Sequence, residues 1–137
     1  MKLVDYIVCD DIRVEVGNKL SIMGVYNDAL NLSGEAGREI PWPLAIRLGV
    51  YLRFILGDDD QLPDHFQVII RHDAKEIARG EGELLIQDPT KLVTLALPIP
   101  QLVIPSPGYL HFKVILSKGP AVIFEQETER PFSVNRP

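Results

Sequence analysis

A strict alternation of apolar side chains over residues 44–56 restricts the fold of this chain more than any other feature. Every second residue there is Leu, Ile, Val or Phe, and the intervening positions include Arg47 and Arg53. As a helix, the segment would be apolar on nearly all sides, with two arginines among the apolar residues. As a strand, it has one apolar face and one mixed face. We therefore predict a long strand, with a bulge or bend at Gly49 that lets it serve two sheets.

Shorter segments repeat the same alternation along the chain, at residues 12–16, 20–25, 66–71, 93–97, 110–116 and 122–125. Turn-forming residues separate them, and Gly17-Asn18 is typical of a two-residue type I′ or II′ hairpin. Residues 74–79 have a helical alternative, but six residues do not hold a helix alone, so we predict the start of a strand. About eight or nine strands joined by short turns indicate one all-β domain over residues 1–137, a single antiparallel β-sandwich.

Prolines mark where strand pairing should stop. Pro98, Pro100, Pro105 and Pro107 bracket the apolar residues 102–104. Because proline has no N–H to donate to a sheet ladder, we predict that this stretch is a sheet edge or a crossover between sheets.

Composition and charge exclude several classes of protein. Fourteen Lys and Arg against nineteen Asp and Glu give the 137 residues a net charge of −5, which argues against general nucleic-acid binding and against docking on anionic lipid. A single cysteine, Cys9, permits no intrachain disulfide and no four-cysteine zinc site. The chain begins without the pattern of a signal peptide and has no apolar run long enough to span a bilayer, so we expect a cytoplasmic protein that does not bind membranes.

The most acidic stretch, residues 58–65, is a candidate metal site. Calcium needs several oxygen ligands, and Asp58, Asp60 and Asp64 could supply them from a loop at the end of a sandwich. The spacing does not follow the calcium-loop pattern D-x-[DN]-x-[DN]-G. The simpler interpretation is a solvated turn, and we expect no metal or other cofactor.

Three histidines, His65, His72 and His111, are candidates for acid–base chemistry. Asp64-His65 and His72-Asp73 place carboxylates beside two of them. Neighbouring residues in a strand point to opposite faces, so adjacency in sequence does not predict a catalytic pair. Surface histidines at strand ends are the simpler interpretation, and a small hydrolase with a His/carboxylate site is the alternative.

Neither a nucleophile nor a phosphate-binding loop is evident. Cys9 is followed by Asp10 and Asp11, which disfavour the thiolate, so we expect a structural cysteine in the first strand. Gly80-Glu81-Gly82 has no third glycine and an acid inside it, and we interpret it as a β-bulge.

The outer face of the long strand is the best candidate for recognition. Arg47, Tyr51 and Arg53 project from it at short steps, and Arg and Tyr are frequent at binding hot spots. The alternative is an ordinary solvated sheet face on which acids of a neighbouring strand pair with the arginines.

Two regions of the chain resemble a bacterial family of small, uncharacterised proteins that carries a domain-of-unknown-function label. The segments that resemble it are residues 9–13, 17–19, 22–26, 97–100, 107–112 and 117–119, with sequences CDDIR, GNK, IMGVY, LPIP, PGYLHF and SKG. The resemblance implies a β-sandwich of the immunoglobulin-like kind. It implies no activity, cofactor or active-site residue.

From these observations we expect a non-enzymatic binding or assembly module that acts through a sheet face, an edge strand or end loops. A protein partner or self-association is the expected interaction. Apolar residues on outer faces, Ile55, Ile69 and Ile115, make a homo-oligomer possible, because either a second layer of the fold or a subunit contact would cover them. The alternatives are the calcium-dependent module and the small hydrolase described above.

Overall fold

A computed structural model describes residues 1–34, 39–85 and 91–135, which form ten strands and no helix. The strands are β1 (Lys2–Glu15), β2 (Lys19–Tyr26), β3 (Ala29–Leu30), β4 (Leu44–Ile55), β5 (His65–His72), β6 (Lys75–Glu83), β7 (Leu92–Ile104), β8 (Gly108–Lys118), β9 (Ala121–Glu127) and β10 (Phe132–Val134). The all-β prediction is confirmed. The strand count exceeds the predicted eight or nine, because β3 and β10 are too short to show an alternation in sequence.

The strands form two packed sheets. The four-stranded sheet has the order β2-β1-β4-β7, and all its pairs are antiparallel. The six-stranded sheet has the order β3-β10-β8-β5-β6, with β9 paired to the far end of β8. The short strands β3 and β10 pair in parallel, so the prediction of an entirely antiparallel sandwich is wrong at this pair. Strand β4 belongs to the four-stranded sheet alone, so the prediction that it serves two sheets is wrong. Its two edges are already taken by β1 and β7.

Gly49 is in register with both neighbouring strands, opposite Cys9 on β1 and Pro98 on β7. The register shift between β4 and β7 lies between Ile46 and Leu48 instead, so the predicted bulge at Gly49 is also wrong. Space explains the glycine: a Cβ atom at position 49 would lie only 2.8 Å from the Sγ atom of Cys9.

The core lies between the inward faces of the two sheets. Phe54, Phe112 and Phe132 are the largest side chains that are fully buried, and the ring of Phe54 meets that of Phe124 edge-on at 5.3 Å. Full burial of such a side chain contributes about 1.5–3 kcal/mol. The alternation that predicted strands therefore also identified Phe54 and Phe112 as core residues, whereas Phe132 lies on the short strand β10.

The hairpin between β1 and β2 forms where it was predicted but has a longer loop. Glu15 pairs with Lys19, so three residues rather than two connect the strands. Gly17 and Asn18 both take positive φ, at 83° and 59°, which is the conformation that these residue types tolerate best. The ambiguous segment 74–79 lies in strand β6, as predicted.

The prediction of a sheet edge at the prolines and the prediction of a bulge at residues 80–82 have different outcomes. Strand β7 is an edge of the four-stranded sheet and contains Pro98 and Pro100, so the proline prediction is confirmed. Residues 80–82, in contrast, pair with β5 without interruption. The register shift between β5 and β6 lies at Ile77 instead. Ala78 pairs with Ile70 and Glu76 pairs with Arg71, which leaves Ile77 unpaired between them, so the predicted bulge at residues 80–82 is wrong.

Candidate functional site

A groove with a volume of about 530 Å³ lies on the outer face of the six-stranded sheet. Strands β5, β6, β8 and β9 and the turn between β8 and β9 supply its lining. The residues on which the argument depends are His65, Gln67, Glu81, Glu83, Ile115, Ser117 and Val122. We call this feature the acidic groove.

Two rows of side chains form the floor of the acidic groove across three strands. In the first row His65 stands between Glu83 and Ser117, and in the second row Gln67 stands between Glu81 and Ile115. Directly opposed residues share a face, with Cβ atoms about 4.5–5.5 Å apart. Every second side chain of β5 and β8 points into the core. The six side chains of these two rows occupy the other positions and therefore all point outward.

Carboxylates dominate the charge of the acidic groove. Among the described residues, neither Glu81 nor Glu83 takes part in an ion pair, and Glu81 only accepts a hydrogen bond of 3.3 Å from the Nε2 atom of Gln67. The nearby cation Arg79 forms its ion pair with Glu76 at 2.6 Å on the same strand and also attracts Glu81, and Lys118 attracts Asp64. Carboxylates outnumber these two cations, so the rim carries net negative charge above a partly apolar floor.

The residues Asp64 and His65 form a hydrogen-bonded pair at one end of the acidic groove. The Oδ1 atom of Asp64 lies 2.6 Å from the Nδ1 atom of His65, and the same carboxylate accepts the backbone N–H of Gly119 at 3.0 and 3.2 Å. The hydrogen bond to His65 lowers the pKa of Asp64. Asp64 reaches the ring of His65 because it precedes the first residue of β5 and does not follow the alternation of the strand. A catalytic role for this pair stays an untested alternative.

The other two histidines lie away from the acidic groove. His72 is buried, and its Nε2 atom lies 2.9 Å from the carbonyl oxygen of Ser106, with its ring close over Gly108. His111 is opposite Arg71 on the neighbouring strand. Of the three histidines that the sequence analysis proposed, His65 is the one that lines the groove.

The face of β4 that carries Arg47, Tyr51 and Arg53 has its arginines paired. The Nη2 atom of Arg47 lies 3.1 Å from Asp11, and the Nε atom of Arg53 lies 2.6 Å from Asp5. Tyr51 is half-buried between its cross-strand neighbours on β1 and β7. Both arginines therefore pair with acids of the neighbouring strand, as expected for an ordinary solvated sheet face. Binding of a partner at this face stays a prediction, and it depends mainly on Tyr51.

The acidic stretch distributes its carboxylates over separate partners. Asp58 pairs with the Nζ atom of Lys91 at 2.6 Å, and Asp60 pairs with the amino terminus at Met1 at 2.6 Å. Asp64 holds His65, as described above. In the parts of the chain that the structure describes, no group of three or more His, Cys, Asp or Glu is placed to hold a metal ion.

The outer apolar residues that predicted self-association have three different environments. Ile69 is 9% exposed and is therefore covered by its own chain. Ile115 lines the acidic groove, and Ile55 is 44% exposed at the end of β4. A subunit contact is not needed to cover Ile69, and self-association stays a prediction.

Cys9 lies in β1 and is fully buried, in the position expected of a structural cysteine. Its Sγ atom lies 3.4 Å from the carbonyl oxygen of Asp11 and 3.5 Å from that of Gly49. Burial, with a smaller contribution from the neighbouring acids, raises the pKa of the thiol. The thiol is thus protonated and packed rather than presented as a nucleophile.

No protein-family model matches the chain, and no curated protein or solved structure shows significant similarity to it. Residues 1–34, 39–85 and 91–135 contain no helix that is long and apolar enough to cross a membrane. Sequence reasoning missed Glu81, Glu83 and Val122, since only the order β6-β5-β8-β9 brings them to one surface.

Proposed function

We propose that this protein is a non-enzymatic binding module that holds an extended, positively charged segment of a partner protein in the acidic groove. The observation that carries the proposal is that two carboxylates, Glu81 and Glu83, lie in one concavity with the apolar side chains of Ile115 and Val122. Val122 is 59% exposed, so a bound segment can reach and cover it.

An extended segment suits the spacing of these groups. Glu81 and Glu83 are two residues apart on one strand, which is also the spacing of side chains on one side of an extended peptide. Basic side chains on that side would meet the carboxylates, and the peptide's other atoms would cover Ile115 and Val122. The net charge of −5 would add long-range attraction for a basic partner.

The strand order supports the finer assignment of an immunoglobulin-like sandwich, which we also propose. Counting β1, β4 and β7 as strands A, B and E gives the order A-B-E for one sheet. Counting β5, β6, β8 and β9 as C, C′, F and G gives the order C′-C-F-G for the other. Membership of the bacterial family that the sequence resembles and a cytoplasmic location remain parts of the proposal.

The experiment uses two synthetic octapeptides of opposite charge, alternating Lys-Val and alternating Glu-Val, titrated into the full chain by calorimetry. The Lys-Val peptide should bind at least tenfold more tightly than the Glu-Val peptide, with a strong dependence on salt. Glu81→Gln combined with Glu83→Gln should weaken the Lys-Val peptide at least fivefold. The control pair Glu15→Gln and Glu129→Gln removes the same charge at exposed sites outside the groove and should change little.

Two results would contradict the proposal. Equal binding of the two peptides would show that the carboxylates do not select charge. Equal weakening by the groove pair and by the control pair would show that only the net charge matters.

Hydrolysis at the same groove is a second candidate function, which the Asp64–His65 pair favours. The carboxylate holds Nδ1 at 2.6 Å, which leaves Nε2 to accept a proton, and the cross-strand neighbour of His65 is Ser117. In this reading His65 removes a proton from Ser117 or from a water molecule that attacks an ester carbonyl. Turnover of p-nitrophenyl acetate that His65→Gln abolishes would support this candidate, and a rate equal to that of free imidazole would exclude it.

A further inference from the structure

A second cavity, separate from the acidic groove, opens between the edges of the two sheets. It has a volume of about 230 Å³ and lies where the edge strand β6 faces the edge strand β7. Val68, Ile70, Ala78, Gly80, Leu97 and Ile99 line it. We call this feature the edge cleft.

Small residues at the core-facing positions of β6 create the edge cleft. Gly82, Gly80 and Ala78 stand opposite Phe66, Val68 and Ile70 on β5. Sandwich positions of this kind are normally filled by bulky side chains that interdigitate with the facing sheet.

The two glycines differ in what fills the space beside them. A Cβ atom at Gly82 would lie 2.9 Å from the ring of Phe66, so that ring already occupies the space. A Cβ atom at Gly80 would meet nothing within 4 Å. The chain therefore leaves open apolar space next to Gly80, which is itself exposed, so a ligand can enter this space from solvent.

The chemistry of the walls favours an aliphatic chain. Pro98 and Pro100 lie along the β7 side of the edge cleft and have no N–H, so a strand added to the edge of β7 would lack donors at both positions. Water is also a poor occupant, because it needs several polar partners. An apolar cavity of about 150 Å³ already admits benzene, so the edge cleft has room for a medium-length alkyl chain.

We propose that the edge cleft binds an unbranched alkyl chain, such as the acyl chain of a fatty acid or a phospholipid. The chain lies between Gly80 on one strand and Leu97 and Ile99 on the other. The polar head stays in solvent, because the nearest cation, Arg79, is already paired with Glu76 at 2.6 Å. The site uses the inward side of β6, whereas the acidic groove uses its outward side, so the two proposals fail independently.

The test is a titration of the isotope-labelled full chain with sodium decanoate below its micelle concentration, followed by amide chemical shifts. Saturable shifts should centre on Ala78, Gly80, Leu97 and Ile99. Gly80→Val fills the open space with a side chain and should weaken binding at least tenfold. Thr94→Val introduces the same side chain on the exposed outer face of β7 and should leave binding unchanged.

Phosphatidylcholine vesicles, added in place of decanoate, distinguish the source of the chain. Binding of decanoate alone supports a free fatty acid, and vesicle binding that Gly80→Val abolishes supports a phospholipid. Absence of saturable shifts at the lining residues with both probes overturns the proposal, as does equal affinity in Gly80→Val. Ala78→Ile closes the same cleft from the neighbouring inward position and replaces Gly80→Val if that variant does not fold.

Discussion

Replacing Gly49 by alanine adds a methyl group where neighbouring side chains leave no room for one. The new Cβ atom would lie 2.8 Å from the Sγ atom of Cys9 and 2.9 Å from the Cγ1 atom of Ile12. Cys9 is fully buried and Ile12 is 8% exposed, so neither side chain can swing into solvent without disturbing the four-stranded sheet.

The size of the effect follows from two opposing contributions. Forcing an extra methyl group into a packed site costs about 1–3 kcal/mol. Alanine loses less backbone entropy than glycine on folding, which offsets about 0.5–1 kcal/mol. We therefore expect Gly49→Ala to lower the free energy of unfolding by about 1–2 kcal/mol, or the thermal midpoint by about 3–8 °C for a chain of this size.

The assay is urea unfolding monitored by circular dichroism, with Gly80→Ala as the matched control. The control adds the same methyl group where nothing lies within 4 Å, so it should stabilise by about 0.5 kcal/mol. In the double variant Cys9→Ala/Gly49→Ala the Sγ atom is gone, and the loss should be smaller than the sum of the single losses by about 1 kcal/mol. A Gly49→Ala protein as stable as the control, or strictly additive losses, would refute the packing explanation of this glycine.

Three further predictions concern ionisable side chains. Burial raises the pKa of Tyr6 to about 12 from 10.0, so the unfolded chain loses this proton first. The free energy of unfolding should fall by about 2 kcal/mol as the pH rises from 10 to 12, and Tyr6→Phe should remove that part of the fall. The Cys9 thiol should react with dithionitrobenzoate at a negligible rate in the native protein and at once in urea, and rapid native reaction would contradict its burial. Asp64, whose pKa is lowered by His65, stabilises the fold above the ordinary carboxyl pKa and loses that effect in acid. Asp64→Ala should therefore lower the thermal midpoint at pH 7 and match the parent protein below pH 3, and an equal deficit at both values would refute this role.

Local pattern was enough to predict most strands and the edge position of β7. The alternation over 44–56 indicates that one face of the strand is buried, and each proline lacks a backbone N–H donor. Both signals can be read from a short segment of sequence. Glycine does not mark a bulge at Gly49 or at residues 80–82, so the predictions there are wrong. At Gly49 the glycine makes room for a side chain forty residues away, Cys9, which no local pattern reveals. At Gly80 a Cβ atom would meet nothing within 4 Å, so packing does not require the glycine.

The candidate sites depend on which strands pair with each other, and the local sequence pattern does not show this. Asp64 and His65 were visible as neighbours in sequence, but their contact required the strand to begin at His65 rather than before it. Glu81 and Glu83 gave no signal of their own, because an exposed acid on a strand is ordinary. They become part of a concave, charged surface because they lie opposite His65 and Gln67 on the neighbouring strand β5.

The sequence by itself determined that this chain forms strands, which faces of them are apolar, and that the proline-rich strand lies at a sheet edge. These features follow from the period of two along a strand and from the chemistry of single residues. The tertiary structure alone decided which strands became neighbours, and with that the acidic groove, the edge cleft and the partners of Arg47 and Arg53. The physical reason is that side chains from distant segments meet only when sheet order and register are fixed, and both depend on the packing of the whole core.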